Sequence, residues 1–204
     1  MRALLIGDIH TEAETLATAL ALGVEHGVDR VLSVGDIVDG PGDPLACIAQ
    51  LRAANALVVA GNHERWVVQG TPFEPFAYPD DARAWIAALP QTREIETPSG
   101  LLLLGHGIGP HDMQELKPDT AGYALEVLDP LWELVRGKRY RYFVGGHTHL
   151  HMVRTVETLT VLNPGTLARK QHPGVMIADF AARTVERWML SPVVARSQTW
   201  PLPA

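Results

Sequence analysis

The chain has 204 residues, of which 47% are hydrophobic and 20% charged, a balance typical of a soluble globular protein with one well-filled core. Its formal net charge of −6 argues against a stable nucleic-acid partner, since binding to a phosphate backbone requires clustered Lys and Arg. No apolar stretch reaches the roughly 20 residues of a membrane helix, and the N-terminal run is too short for a signal peptide. Cys47, the single cysteine, cannot form an internal disulfide, which fits a reducing compartment. We expect a cytoplasmic, single-domain protein.

The first part of the chain alternates between strand and helix patterns. Apolar runs predict three buried strands, at 3–6, 30–34 and 56–60. Two amphipathic segments between them predict helices, over about 12–27 and 43–54. Thr11 and Glu14 have the spacing of a capping box for the first helix, and Asp43-Pro44 has the composition of an N-cap and first turn for the second. This alternation predicts neighbouring parallel strands joined by right-handed crossovers.

The rest of the chain predicts a second sheet and a few short helices. Proline and aromatic residues over 66–80 predict an ordered loop beside the site. Helical patterns follow at 81–89, 120–128 and 130–136. Strand patterns lie at 93–97, 101–105, 142–144, 151–156, 158–162, 174–180 and 183–190. The tail after residue 190 is rich in proline and polar residues, so we expect it to be irregular.

Five polar clusters, each opened by a glycine, directly follow apolar runs. They are Gly7-Asp8-Ile9-His10, Gly35-Asp36-Ile37-Val38-Asp39, Gly61-Asn62-His63-Glu64, Gly105-His106 and Gly146-His147-Thr148-His149. Open sheets bind ligands beyond the carboxyl ends of their strands, which is where all five clusters fall. Asp8 and His10 are two residues apart, as are His147 and His149, so in extended chain each pair points into one pocket.

The side chains of these clusters have the chemistry of a two-metal hydrolytic site. The seven candidate ligands are Asp8, His10, Asp36, Asn62, His106, His147 and His149. A mixture of imidazole, carboxylate and amide oxygen suits Mn²⁺, Fe or Zn²⁺. Seven ligands are too many for one tetrahedral ion, whereas two ions sharing a carboxylate would leave positions for water and substrate.

The order and spacing of the motifs over residues 7–149 resemble the calcineurin-like metallophosphoesterase superfamily. Asn163-Pro164-Gly165-Thr166 is similar to a segment that follows in its small bacterial, phosphodiesterase-like members. The resemblance implies an α/β fold of the four-layer αββα type, in which two mixed β-sheets are flanked by helices.

The resemblance also implies a role for each site residue. One metal ion would take Asp8, His10, Asp36 and His149, and a second would take Asp36, Asn62, His106 and His147, with Asp36 bridging. A metal-bridging hydroxide would attack phosphorus. His63 would meet the phosphate or protonate the leaving oxygen, and Asp39 would orient His63, in keeping with the need of a catalytic imidazole for a partner.

Two departures from the superfamily concern the substrate. Protein phosphatases and dinucleoside tetraphosphate hydrolases of this superfamily carry an arginine where this chain has Gly40, and the phosphatases carry another where it has Ala60. Arg65 and Arg169 could compensate, or they could be ordinary salt-bridged residues. We therefore expect a small phosphodiester substrate. The alternatives are a phosphomonoesterase, protein phosphatase or dinucleoside polyphosphate hydrolase, or a non-catalytic binding protein on the same fold.

Overall fold

The computed structural model describes residues 1–203, which form two β-sheets packed face to face between helices. In chain order the strands are β1 (Arg2–Ile6), β2 (Arg30–Ser33), β3 (Leu57–Val58), β4 (Arg93–Thr97), β5 (Gly100–Leu104), β6 (Tyr142–Val144), β7 (Met152–Val156), β8 (Leu159–Asn163), β9 (Gly174–Asp179), β10 (Thr184–Met189) and β11 (Ala195–Pro201). The helices are α1 (Ala13–Glu25), α2 (Pro44–Ala53), α3 (Asn62–Gln69), α4 (Asp80–Ala87), α5 (Tyr123–Glu126) and α6 (Asp129–Gly137), with a 3₁₀ turn at Arg169–Gln171.

Both sheets are mixed, as the sequence predicted. The first has the strand order β11-β10-β9-β1-β2-β3 and the second the order β4-β5-β6-β8-β7. In the first, β1, β2 and β3 are parallel neighbours, which confirms the predicted crossovers, and the C-terminal β9 pairs antiparallel with β1. In the second, β5, β6 and β8 are parallel, with antiparallel strands at both edges.

Three apolar layers hold the sheets and helices together, because successive side chains of a strand point to opposite faces. Along β1, Leu4 packs with the residues of α1 and α2, whereas Leu5 packs against the second sheet. Along β5, Leu104 lies between the sheets and Leu103 packs beneath α6. This arrangement is the predicted four-layer αββα fold.

Two segments predicted to be irregular are regular in the structure. The chain from Asn62 to Gln69 is helix α3, although a loop was expected from residue 66. The tail from Ala195 to Pro201 forms edge strand β11 through pairing with β10, and Leu202 beyond it is buried between the sheets. The prediction failed at the tail because its order comes from a partner strand and not from its own pattern.

Local patterns gave the wrong cap for one helix and the wrong length for another, and the correct cap for a third. Thr11 has a left-handed backbone and directs its hydroxyl to the His10 carbonyl, so the predicted capping box is absent and α1 begins without a side-chain cap. The segment 120–128 yields only the four-residue α5. At α2, Asp43 accepts hydrogen bonds from the backbone of Leu45 and Ala46, as predicted.

Among residues 1–203, the helices are all too short or too polar to traverse a lipid bilayer.

Cys47 is fully buried among the residues of α1 and α2, so its role is packing in the core. Burial, together with the charges of Asp43 and Glu12, raises the pKa of its thiol to about 12. We therefore expect Ellman's reagent to leave native protein unmodified near pH 8, where an ordinary thiol with a pKa of about 8.5 reacts readily. The same absorbance assay in guanidinium chloride should titrate the thiol fully, and rapid reaction of native protein would contradict the packing role.

Candidate metal centre

The seven predicted ligands meet at one edge of the two sheets. Each lies within a few residues of the carboxyl end of a strand: Asp8 and His10 after β1, Asp36 after β2, Asn62 after β3, His106 after β5, and His147 and His149 after β6. Asp8, Asp36, Asn62 and His106 are buried, and the other three are half-buried. The predicted convergence is therefore observed.

The backbone that produces this convergence is not the one expected. His10, Asp36, His147 and His149 all have left-handed backbone, with φ of 46°, 47°, 66° and 60°. His147 and His149, two residues apart, consequently enter different groups of ligands, whereas Asp8 and His10 share one. Such conformations are uncommon outside glycine and concentrate at functional sites.

The titratable ligands form three overlapping groups, and within each the ligand atoms lie within 4.8 Å of one another. The groups are Asp8, His10 and His149; Asp36, His106 and His147; and His10, Asp36 and His63. The first holds three of the four ligands predicted for one ion, without Asp36, and the second holds three of the four predicted for the other, without Asn62. Asn62 belongs with the second, since its Oδ1 lies 3.0 Å from Nε2 of His106.

The Nε2 atoms of His10 and His149 face each other. His10 donates from Nδ1 to the carbonyl of Asp39, and His149 donates from Nδ1 to Oε1 of Gln171. The two Nε2 atoms lie 3.1 Å apart, and when both rings are neutral their lone pairs are opposed. A cation between them relieves this repulsion, and outer hydrogen bonds of this kind are those that orient histidine ligands in metal sites.

The second group also requires a positive charge. His106 donates from Nδ1 to the carbonyl of Val34, while its Nε2 lies 3.2 Å from Oδ2 of Asp36. Burial by itself lowers the pKa of His106, but the Asp36 carboxylate reverses this and raises it. Oδ2 of Asp8 nearby is buried and has no hydrogen-bond partner. These donors fit a divalent cation, whose binding would displace the His106 proton.

A buried carboxylate, Glu64, organises the two turns that carry Asp36 and Asn62. Its Oε2 accepts from the backbone N–H groups of Asp36 and Gly61, both at 2.8 Å, and its Oε1 accepts from Ile37 and Val38 at 2.8 and 3.2 Å. A Cβ at Gly61 would lie 2.1 Å from Oδ1 of Asp36, so only glycine permits this approach. Glu64 thus ties the end of β2 to the start of α3.

Asp39 makes a second set of contacts, centred on His63. Its Oδ2 lies 2.9 Å from Nδ1 of His63, and the Asp39 side chain is fully buried. Nε2 of His63 points back toward the ligands, 3.9 Å from Oδ2 of Asp36. The Asp39 carboxylate also accepts from the backbone of Phe73 and Glu74. The predicted pairing of His63 with Asp39 is therefore present in the structure.

Sequence reasoning missed several residues that support these ligands. Gln171 holds His149 but lies in a polar loop without any recognisable signal. Thr166 donates its hydroxyl to the carbonyl of Asp8, and Asn163 donates from Nδ2 to the carbonyl of Gly146. The Asn163–Thr166 segment was noticed only through the resemblance, and these bonds explain what it does.

The arginines considered as phosphate ligands are both engaged elsewhere. Arg65 forms a two-pronged pair with Asp112 at 2.6 and 3.2 Å, and Arg169 lies 2.7 Å from Glu12. A Cβ at Gly40 would lie 2.1 Å from the His10 carbonyl, so the turn has no room for a side chain there. The absence of an arginine at position 40 is thus built into the local backbone.

With this geometry established, comparison with known proteins assigns the family. The family model of the calcineurin-like phosphoesterase superfamily domain matches residues 1–183. The chain belongs to this superfamily. The Asp and His residues of the two groups are accordingly candidates for binding divalent metal ions.

Individual relatives of this superfamily member are distant. It is 35% identical over 63 residues to an uncharacterised protein of Methanocaldococcus jannaschii, a segment covering 31% of this chain and 26% of that protein's length. A hypothetical protein of Pyrococcus horikoshii matches with a TM-score of 0.71 and 15% identity, covering 98% of this chain and 87% of that one. YfcE, a phosphoesterase from E. coli, matches with a TM-score of 0.64 and 17% identity over 100% of both chains. At such identities the structural matches show the fold alone.

The role of Glu64 can be tested by replacing it with glutamine. In Glu64→Gln, the amide NH₂ group would face backbone N–H donors, leaving about two of them unpaired, and each unpaired buried group costs about 1–3 kcal/mol. We expect the free energy of unfolding, measured with urea, to fall by roughly 2–5 kcal/mol. Glu96→Gln on the exposed face of β4 is the matched control and should change it little. Equal stability of the two variants would exclude the organising role of Glu64.

Proposed function

We propose that this protein is a metal-dependent phosphoesterase that hydrolyses small phosphodiesters. The observation that carries the proposal is the opposed pair of imidazole nitrogens of His10 and His149, 3.1 Å apart, beside the buried Asp36 carboxylate. Such an arrangement is stabilised by a cation and has no evident value without one. The pairing of His63 with Asp39 lies next to it and supplies a group for proton transfer.

In this proposal, two ions bind to this chain's ligands. Asp8, His10, Asp36 and His149 hold one, and Asp36, Asn62, His106 and His147 hold the other, with Mn²⁺, Fe and Zn²⁺ as the candidates. When bound, such ions supply an activated water and neutralise negative charge on the phosphoryl group. Asp36 is suited to serve both because its Oδ2 lies 3.2 Å from Nε2 of His106 in one ligand set and 4.0 Å from Nε2 of His10 in the other.

His63 acts on the leaving group through its Nε2. Its Nδ1–H donates to the buried carboxylate of Asp39, which fixes the tautomer and the orientation of the ring. Nε2 is then free to hold a proton and release it to the ester oxygen as the bond to phosphorus breaks. Trp66, whose ring centroid lies 4.6 Å from that of His63, limits rotation of the imidazole.

The charge of the residues around the site favours a diester as substrate. Arg65 and Arg169 are tied to carboxylates, and positions 40 and 60 carry no arginine. A phosphodiester has one negative charge near neutral pH, whereas a phosphomonoester approaches two. A site whose positive charge comes mainly from its ions is therefore better matched to the diester.

A substrate panel tests the proposal directly. Manganese-loaded protein should hydrolyse bis-p-nitrophenyl phosphate with a higher kcat/KM than p-nitrophenyl phosphate, and chelation with EDTA should abolish both activities. Release of nitrophenolate, followed by absorbance, is the measurement. A higher kcat/KM for the monoester would assign a phosphomonoesterase instead. Activity toward neither substrate, nor toward cyclic nucleotides or dinucleoside polyphosphates, would favour a binding protein on this fold.

The separate roles of His63 and Asp36 predict opposite outcomes for two variants. His63→Ala should keep its metal but lose about 10²–10⁴-fold in kcat, the usual contribution of general acid–base catalysis. Asp36→Asn should lose metal from both groups, because the charge that they share is removed. Elemental analysis together with kinetics makes the distinction.

A control for these variants is His172→Asn, an exposed position whose left-handed backbone asparagine tolerates. It should match the unaltered protein in metal content and kcat. Loss of metal from His63→Ala would make His63 a ligand, consistent with its proximity to His10 and Asp36, and would overturn its assignment as an acid.

A further inference from the structure

Two aromatic side chains border His63 and are not among the candidate metal ligands. The ring centroid of Trp66 lies 4.6 Å from that of His63, and the ring centroid of Phe73 lies 6.4 Å from it. Trp66 is half-buried, whereas Phe73 is 76% exposed. A large apolar ring is thus held in solvent at the rim of the site.

The exposure of Phe73 does not come from a loose loop. The backbone N–H of Phe73 donates to Oδ2 of Asp39 at 3.1 Å, and that of Glu74 donates to Oδ1 at 3.2 Å. Pro72 and Pro75 on either side restrict φ further. The carboxylate that contacts His63 therefore also fixes the backbone of Phe73 beside it.

The other exposed aromatic ring of this loop has a partner of its own. Phe76 packs on Tyr78 with ring centroids 4.7 Å apart. The ring of Phe73 remains exposed, and a ligand that covers it would gain the free energy of burying apolar surface. The position of the ring beside His63 identifies that ligand as part of the substrate.

We infer that Phe73, with Trp66, stacks on the planar base of a nucleoside, so that the substrates are phosphate esters of nucleosides. This inference rests on the proposed function. If His63 protonates the leaving oxygen, the alcohol attached to that oxygen extends past His63 toward Trp66 and Phe73. Every nucleobase has a π-face, so stacking of this kind favours nucleosides as a class without selecting one base.

The experiment measures binding of two non-hydrolysable ligands to manganese-loaded protein by isothermal titration calorimetry. One is an adenosine 5′-phosphonate, in which CH₂ replaces the ester oxygen, and the other is the same phosphonate of methyl riboside, which lacks the base. The adenosine compound should bind more tightly, by roughly five- to a hundredfold, the range expected for one base stacked on an aromatic side chain.

Variants of the loop assign this difference to one ring. Phe73→Ala should remove most of the ratio between the two ligands while keeping the backbone bonds to Asp39, and Phe73→Tyr should preserve it. Phe76→Ala, in the same loop, should also preserve it. Equal binding of the two ligands, or an equal loss of both in Phe73→Ala, would overturn the inference.

The proposed function is tested separately by the hydrolysis of bis-p-nitrophenyl phosphate. If that diester is hydrolysed but the two phosphonates bind equally, only the nucleoside assignment fails. If neither phosphonate binds, the nucleoside assignment fails as well. The hydrolysis assay then decides whether the proposed phosphoesterase activity is also rejected.

Discussion

The site depends on the hydrogen bonds that the buried carboxylate of Glu64 accepts. It accepts four backbone N–H groups from two separate turns, one after β2 and one at the start of α3. Burial, reinforced by the charge of Asp36, raises the pKa of Glu64, while its bonds to backbone N–H groups oppose this. Four N–H donors on both oxygens leave no lone pair for a carboxyl proton, so the charged form is the one the turns are built around.

The candidate metal centre is built from imidazole and carboxylate groups that hydrogen bonds to surrounding residues hold in place. The outer nitrogens of His10, His106 and His149 are occupied by oxygen acceptors, so their inner nitrogens must turn toward the carboxylates and toward one another. Left-handed backbone at four of the ligands adds strain of order 1–3 kcal/mol per residue. The facing nitrogens and the strained backbone both raise the free energy of the site. A bound cation would lower it, as is typical of a preorganised site.

Asp39 connects this centre to the region where an alcohol group would lie. Its backbone carbonyl holds His10, its carboxylate holds His63, and the same carboxylate anchors the loop that carries Phe73. A ligand residue, an acid–base candidate and an exposed aromatic ring are therefore positioned by one residue. Changes in the loop can alter the substrate side without disturbing the ion ligands, which is how one scaffold can serve different esters.

The sequence alone was enough to predict the candidate site residues and most of the fold, because five glycine-led polar clusters at strand ends and period-two or helical patterns are local signals. It also determined the N-cap at Asp43, whose bonds span only three residues. The pairing of the tail with β10, and the supports that Gln171 and Val34 give to His149 and His106, became visible only in the folded chain. Each of these depends on groups distant in the chain or on backbone atoms, and a pattern of side chains along one segment does not encode them.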